Sequence, residues 1–188
     1  MRSPFIEAIE DSPIIAAVKD MKGLEKCLDS DTGVVFILFG DICNITDIVD
    51  KVKSRDKMAM VHIDLIHGLS GKDVALDFIK TQTKADGIIT TKQPLIKHAN
   101  EIGLYTVLRF FVIDSMSLLN IEMLKHHTYP DVIEILPGII PKVTKKICSL
   151  SPVPVIAGGL ITDKEDVMAA LAENVISIST TNQNLWFS

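Results

Sequence analysis

Two stretches of this 188-residue chain carry residue types that can hold an anion. Residues 152–161 read PVPVIAGGLI, an apolar run closed by Gly158 and Gly159. Residues 176–180 read ISIST and end on Ser179 and Thr180. Glycine permits positive φ and lets the backbone approach a ligand closely. Two neighbouring loops of this kind gather backbone N–H groups and hydroxyls around a phosphate. A simple tight turn would also account for one Gly-Gly pair.

Polar residues interrupt other apolar runs, each near the run's end: Lys19, Asp41, His62 with Asp64, Thr90, Arg109, Glu134, and Ser177 with Ser179. Partners two apart on a strand share a face, which pairs His62 with Asp64 and Ser177 with Ser179. A polar group in a strand buried on both sides needs a partner. Lys19 and Arg109 are cations for an anionic group, while Asp64 and Glu134 accept from hydroxyls, with His62 beside them. Combined with the two loops, the set fits a small phosphorylated polyol. Hydrogen bonds to a charged phosphate contribute roughly 1.5–3 kcal/mol each. The structural alternative is a salt-bridge network plugging a barrel, Lys19 and Arg109 against Asp64 and Glu134.

The elements that must position these residues alternate along the chain. Strands are predicted over residues 14–20, 33–40, 57–65, 86–91, 104–113, 131–136, 152–161 and 176–180. Helices are predicted over 21–28, 44–55, 72–81, 95–101, 117–126, 141–150 and 162–174, and a short amphipathic turn in residues 1–12 is expected to cover one end. Eight strands alternating with seven helices imply a parallel sheet covered on its outer face. The expected fold is a (β/α)8 TIM-barrel-like α/β domain spanning 1–188, with short loops and an abbreviated last helix, since about 250 residues is typical of such barrels. An open doubly wound sheet would place its glycine-rich turn after the first strand. Here that strand ends in Lys19-Asp20, and the glycines close the seventh. The C-terminal mouth of a barrel is where the polar residues converge on a ligand, phosphate at the last two loops.

Aromatic residues are only 5% of a chain that is 47% hydrophobic, so the core must be aliphatic. A net charge of −5 gives no general electrostatic footprint for nucleic acid. No secretory signal and no apolar run of roughly 20 residues is present. Cys27, Cys43 and Cys148, odd in number and far apart, read as reduced core or near-core thiols of a cytoplasmic protein, with no metal set among them. His126 and His127 with Cys148 lack metal-ligand spacing. Lys142, Lys145 and Lys146 share a helix face, and Lys51, Lys53, Arg55 and Lys57 cluster near a helix end; both read first as solvated faces. Trp186 is expected to anchor the tail on the barrel.

The segments IIAAVKD at Ile14, HIDLIHGLSG at His62, GIITTK at Gly87, PDVIEILPGIIPK at Pro130, VIAGGLI at Val155 and ISISTTNQNLW at Ile176 together resemble the bacterial glycerol-3-phosphate-responsive antiterminator family. The resemblance covers nearly the whole chain. It implies glycerol 3-phosphate as effector, no other cofactor, and binding to leader mRNA of glycerol-utilisation operons, which prevents early termination. An RNA contact then needs a local patch, for which Lys142, Lys145 and Lys146 are one candidate and the cluster from Lys51 to Lys57 another. The chain departs from the family pattern at Asn174-Val175 (Gly-Ala), at His67 (an acid or amide) and at Thr90 (Ser). Two other functions stand beside the regulator. One is a barrel enzyme acting on a small phosphorylated polyol or triose, with His62, Asp64 or Glu134 as acid–base group. The other is a passive metabolite-binding scaffold or homo-oligomer.

Overall fold

The structure is a computed structural model that describes residues 3–124 and 129–187. A first helix, α1 (Pro4–Asp11), precedes the barrel. Eight strands follow: β1 (Ile14–Val18), β2 (Val34–Ile37), β3 (Met58–His62), β4 (Gly87–Thr90), β5 (Tyr105–Phe111), β6 (Val132–Leu136), β7 (Val155–Gly158) and β8 (Ser177–Thr180). Between them run α2 (Met21–Leu28), α3 (Ile45–Lys53), α4 (Asp73–Gln82), α5 (Pro94–Glu101), α6 (Ser115–Met123), α7 (Pro141–Leu150) and α8 (Lys164–Leu171). The strands pair in chain order, all parallel, and the barrel closes where Ile14 of β1 meets Ile178 of β8. The abbreviated last helix is a 3-10 turn, Gln183–Phe187.

Alternation along each strand separates two cores. Ile15, Phe36, Met60, Ile89, Val107 and Ile156 fill the barrel. Their neighbours, such as Ala16, Val35, Val61, Ile88 and Ile133, pack outward against the helices. The predicted cover over one end is α1: Phe5 and Ile9 are fully buried among the barrel-filling residues. Phe5 stacks on Tyr105 at 5.3 Å between ring centroids, at the start of β5, so α1 plugs the N-terminal end.

Several elements are shorter than the sequence predicts, with visible causes. β3 stops at His62 and a 3-10 turn, Ile63–Leu65, follows, because Asp64 turns to bond the loop after β4. α8 starts at Lys164, where the Asp163 side chain accepts from the Asp166 N–H at 2.9 Å. Past its end, Asn174 sits at φ +68°, a conformation that asparagine tolerates and glycine prefers. That accounts for asparagine where the family pattern has glycine. The predicted helix 117–126 begins earlier, at Ser115, capped by Asp114; its last residues and His126-His127 lie outside the described residues.

At the N-terminal end the charges serve the fold. Lys57 is buried and its Nζ donates to the carbonyls of Ser30 and Thr32 at 2.6 and 2.7 Å. Asp86 accepts from the Ala59 N–H at 2.8 Å and pairs with Lys53 at 2.7 Å. The cluster from Lys51 to Lys57 is therefore not one solvated face, and two of its four cations hold turns. Ser177 also belongs to this end, donating from Oγ to Pro13 O at 2.9 Å. Trp186 is the expected anchor: it is buried, and its Nε1–H donates to Thr180 O at 2.9 Å. Of the cysteines, Cys27 is buried and Cys148 half-buried, but Cys43 is exposed on the loop before α3, so the core reading fails there.

Candidate functional site

β5 and β6 pair with Arg109 opposite Glu134, both pointing into the barrel above Val107 and Val132. The Arg109 Nε–H donates to Glu134 Oε2 at 2.6 Å, with side chains 9% and 0% exposed. The other carboxylate oxygen accepts from Ser179 Oγ, reaching from β6 to β8 across β7. Gly158 makes this possible. A Cβ there would collide with Ser179 Oγ and lie 2.8 Å from Glu134 Oε1. The first glycine therefore leaves room for a side-chain hydrogen bond. The second, Gly159, has φ +73° and Leu160 follows at φ +60°. Consecutive left-handed residues, one a leucine 68% exposed, carry backbone strain of the kind that collects at ligand loops. A Cβ on Gly159 would point at Leu136 Cδ2, 3.1 Å away.

Arg109 uses only Nε in this network. Its Nη groups have no hydrogen bond or ion pair among the described residues. Arg109 lines a cavity of about 100 Å³ together with Ala17, Leu38, Gly159, Ser179 and Thr181. The backbone N–H groups of Gly159, Leu160 and Thr181 likewise have no partner among the described residues. Beside Arg109, His62 is 3% exposed and its Nδ1 is buried without a partner among the described residues. Burial pushes its pKa down to about 4; the Arg109 charge adds to this and Asp64 partly opposes it. His62 is therefore neutral at pH 7, able to donate from one ring nitrogen and accept at the other.

Asp64 lies at the same end, turned away from the barrel axis. It accepts from the Thr91 N–H at 2.7 Å, Thr91 Oγ1 at 3.0 Å and Thr90 Oγ1 at 3.1 Å, with Lys92 Nζ at 3.6 Å. Burial alone would raise its pKa, but the donors on Thr91 and Thr90 outweigh that and hold it below the usual carboxylate value. Lys19 follows β1 at the mouth, exposed, with no ion pair among the described residues. The predicted plug therefore reduces to one pair, Arg109 with Glu134, while Asp64 takes Lys92 instead of Lys19. Thr180 donates from Oγ1 to Ile161 O at 3.1 Å and accepts from the Asn182 N–H at 3.0 Å, so its hydroxyl ties the last two loops together. Asp41 caps its own loop, accepting from the Cys43 and Asn44 N–H groups at 2.8 and 3.1 Å. Lys142, Lys145 and Lys146 are exposed on α7.

The structure thus brings together Arg109, Glu134, Ser179, Gly158 and His62, and leaves Lys19 and Asp64 at the rim. Sequence reasoning missed Lys92, Thr181 and Leu160. Lys92 directly follows an expected strand end, a usable signal; nothing in a leucine announces positive φ. A larger hollow of about 550 Å³ at the opposite end is lined by Lys80, Asp86, Asn100, Tyr105 and Asp131. Its polar groups are occupied: Lys80 donates to Gly103 O at 3.0 Å and Asp131 accepts from the Thr106 N–H at 2.7 Å. The smaller cavity, with donors left over, is the candidate site. No group of three or more His, Cys, Asp or Glu that could hold a metal occurs among the described residues.

Known proteins bear on this geometry. A family model described as "Glycerol-3-phosphate responsive antiterminator" matches residues 14–186. The chain is 42% identical over 183 residues to the Escherichia coli protein YgcP, described as uncharacterized, covering 97% of this chain and 96% of that one. It superposes at a TM-score of 0.91 and 33% identity on the crystal structure of the glycerol uptake operon antiterminator regulatory protein from Listeria monocytogenes, covering 99% of this chain and 98% of that one. An antiterminator-related protein from Thermotoga maritima superposes at 0.82 and 37% identity, over 93% of this chain and 98% of that one. Aldolases superpose too, the Aeropyrum pernix deoxyribose phosphate aldolase at 0.70 and 14% identity over 97% and 96%, a likeness of fold alone.

Proposed function

The chain belongs to the glycerol-3-phosphate responsive antiterminator family, and from that premise we propose that it binds glycerol 3-phosphate in the cavity at the barrel mouth and, so loaded, binds leader mRNA of glycerol-utilisation operons in the cytoplasm. The observation that carries the effector site is the half-used guanidinium of Arg109. A buried cation with unpartnered Nη groups is completed by an anion. The N–H groups of Gly159, Leu160 and Thr181 and the ammonium of Lys19 supply further donors at the same mouth. His62, neutral and without a partner at Nδ1 among the described residues, suits a hydroxyl of the glycerol moiety. The phosphate and the polyol thus meet different chemistry, which separates this ligand from inorganic phosphate and from free glycerol.

RNA contact falls to Lys142, Lys145 and Lys146, since the net charge of −5 gives no general attraction. Their helix follows β6 after a short loop, and β6 carries Glu134. Ligand at Arg109 therefore acts one strand away from the lysines. A tenfold gain in RNA affinity requires about 1.4 kcal/mol of coupling, within reach of one or two charge-assisted bonds. Titration of labelled leader RNA with glycerol 3-phosphate, with glycerol and with neither tests this. Expected are tighter binding with the phosphate ester alone and affinity that falls steeply with salt. Lys19→Met should weaken effector binding about tenfold by calorimetry with stability unchanged. Equal RNA affinity in all three arms refutes the gating, and turnover of a triose phosphate without RNA binding would point to an enzyme.

A further inference from the structure

Helix α6 differs from the other helices around the barrel. α3 buries Ile45, Ile48, Val49 and Val52 on one face and turns Asp47 and Lys51 to solvent. α6, SMSLLNIEM, is apolar on two opposite faces: Leu118 and Ile121 pack toward the barrel, with Ile121 its one fully buried residue, and Met116, Leu119 and Met123 turn outward. Met116, Leu119 and Met123 are 59%, 52% and 52% exposed. The exposed surface continues onto the flanking loops at the mouth, with Ile113 86%, Ile139 39% and Ile140 42% exposed. A surface helix needs only one apolar stripe, toward the core; a second one facing outward calls for a cover of its own. A contiguous apolar patch of this size marks an interaction surface.

We infer that this face is covered by a second copy of the chain, packed about a two-fold axis that runs through the groove between α6 and α7. The groove, about 240 Å³, has Leu118, Leu119 and Leu150 in its lining and carries Glu122 from α6 and Lys146 from α7. These two charges form no ion pair with each other among the described residues. An apolar strip flanked by one acid and one base is self-complementary: rotation by a half-turn sets each Glu122 against the other copy's Lys146, twice over. Full burial of a Leu, Ile or Met side chain removes roughly 60–120 Å² of apolar surface, so these half-exposed residues with Phe111 supply a few hundred Å², a substantial part of the ~800 Å² per partner that a stable interface buries. Nucleic acid does not suit the face, which offers one aromatic ring, Phe111, and an acid. The dimer draws Lys146 out of the proposed RNA patch and leaves Lys142 and Lys145 of each copy flanking the interface for RNA. It stands independently of the effector.

Sedimentation velocity of the full chain across micromolar concentrations, without RNA, tests the inference. The expected result is a dimer whose dissociation constant weakens at least about tenfold in Leu119→Glu, with an unchanged far-UV circular dichroism spectrum. Ile113→Asp is a second probe at a site too exposed to affect folding, and should weaken the dimer likewise. Glu122→Lys should weaken association and the double swap Glu122→Lys/Lys146→Glu should restore it. A wild-type chain that is monomeric throughout overturns the inference. So does an oligomer that neither Leu119→Glu nor Ile113→Asp disturbs, because its interface then lies elsewhere.

Discussion

The two ends of the barrel are built from the same residue types and use them in opposite ways. At the N-terminal end Lys57 donates to two carbonyls, Asp86 meets Lys53 and the Ala59 N–H, Asp131 accepts twice from Thr106, and α1 seals the opening with Phe5 and Ile9. At the mouth Arg109 and Glu134 are buried too, but among the described residues His62 has no partner at Nδ1, and Arg109, bonded only through Nε, lines a cavity. A buried charge with every bond made is part of the scaffold. One with bonds left over is poised for a ligand. Burial and charge therefore do not separate structure from function here; the count of satisfied donors and acceptors does.

The largest effect expected is from Glu134→Ala. It leaves Arg109 buried without its counter-charge, a change that costs about 3–5 kcal/mol. Arg109→Met/Glu134→Leu removes both charges and should recover most of that stability in urea unfolding, while glycerol 3-phosphate binding stays lost. A double variant as unstable as the single one would make this pair scaffold, like the other end.

His62 predicts a pH dependence. Its folded pKa of about 4 lies below the ordinary 6.5, so between those values the unfolded chain binds the proton more readily. The stabilising contribution is fully present above pH 6.5 and is lost as pH falls toward 4, at about 1.4 kcal/mol per unit and roughly 3 kcal/mol in all. His62→Gln should flatten that part of the stability profile measured by denaturant unfolding. An unchanged slope between pH 6.5 and 4 would show His62 protonating freely in the folded state.

The smallest effect, on effector affinity, sharpens the contrast from the other side. Lys57→Met strips two carbonyls of a charged donor and should cost stability roughly 1.5–3 kcal/mol for each bond lost. Effector affinity, measured by calorimetry, should not move. A drop in affinity would mean that the two ends are coupled.

Much of this was legible in the sequence because strand alternation constrains both cores at once. Eight apolar runs, seven with a polar residue near the end and one closed by Gly158 and Gly159, place Arg109, Glu134 and Ser179 at one mouth once the strands are known to be parallel. The partner of each polar group was not legible. Ser179 reaches Glu134 only because Gly158, on the strand between, has no side chain, and that is a property of three strands together. Asp64 was matched with Lys19 by charge, but the chain leaves the strand at Ile63 and turns Asp64 toward Thr91 and Lys92. Lys57 looked solvated beside Arg55, yet its side chain runs inward to two carbonyls. Long side chains and strand ends escape periodicity, since their direction depends on turns that the pattern does not encode.

Closure of the barrel between Ile14 and Ile178 has a consequence for synthesis. β1 leaves the ribosome early, and its open hydrogen-bonding edge has no partner until β8 follows, a separation of 164 residues for the Ser177 to Pro13 bond. At about 5–20 residues per second that edge stays unpaired for on the order of ten seconds or more. An apolar strand with a free edge is a template for pairing with another nascent chain. The seam is therefore the place where chains made in close succession on one message can tangle, and where a chaperone has most to protect.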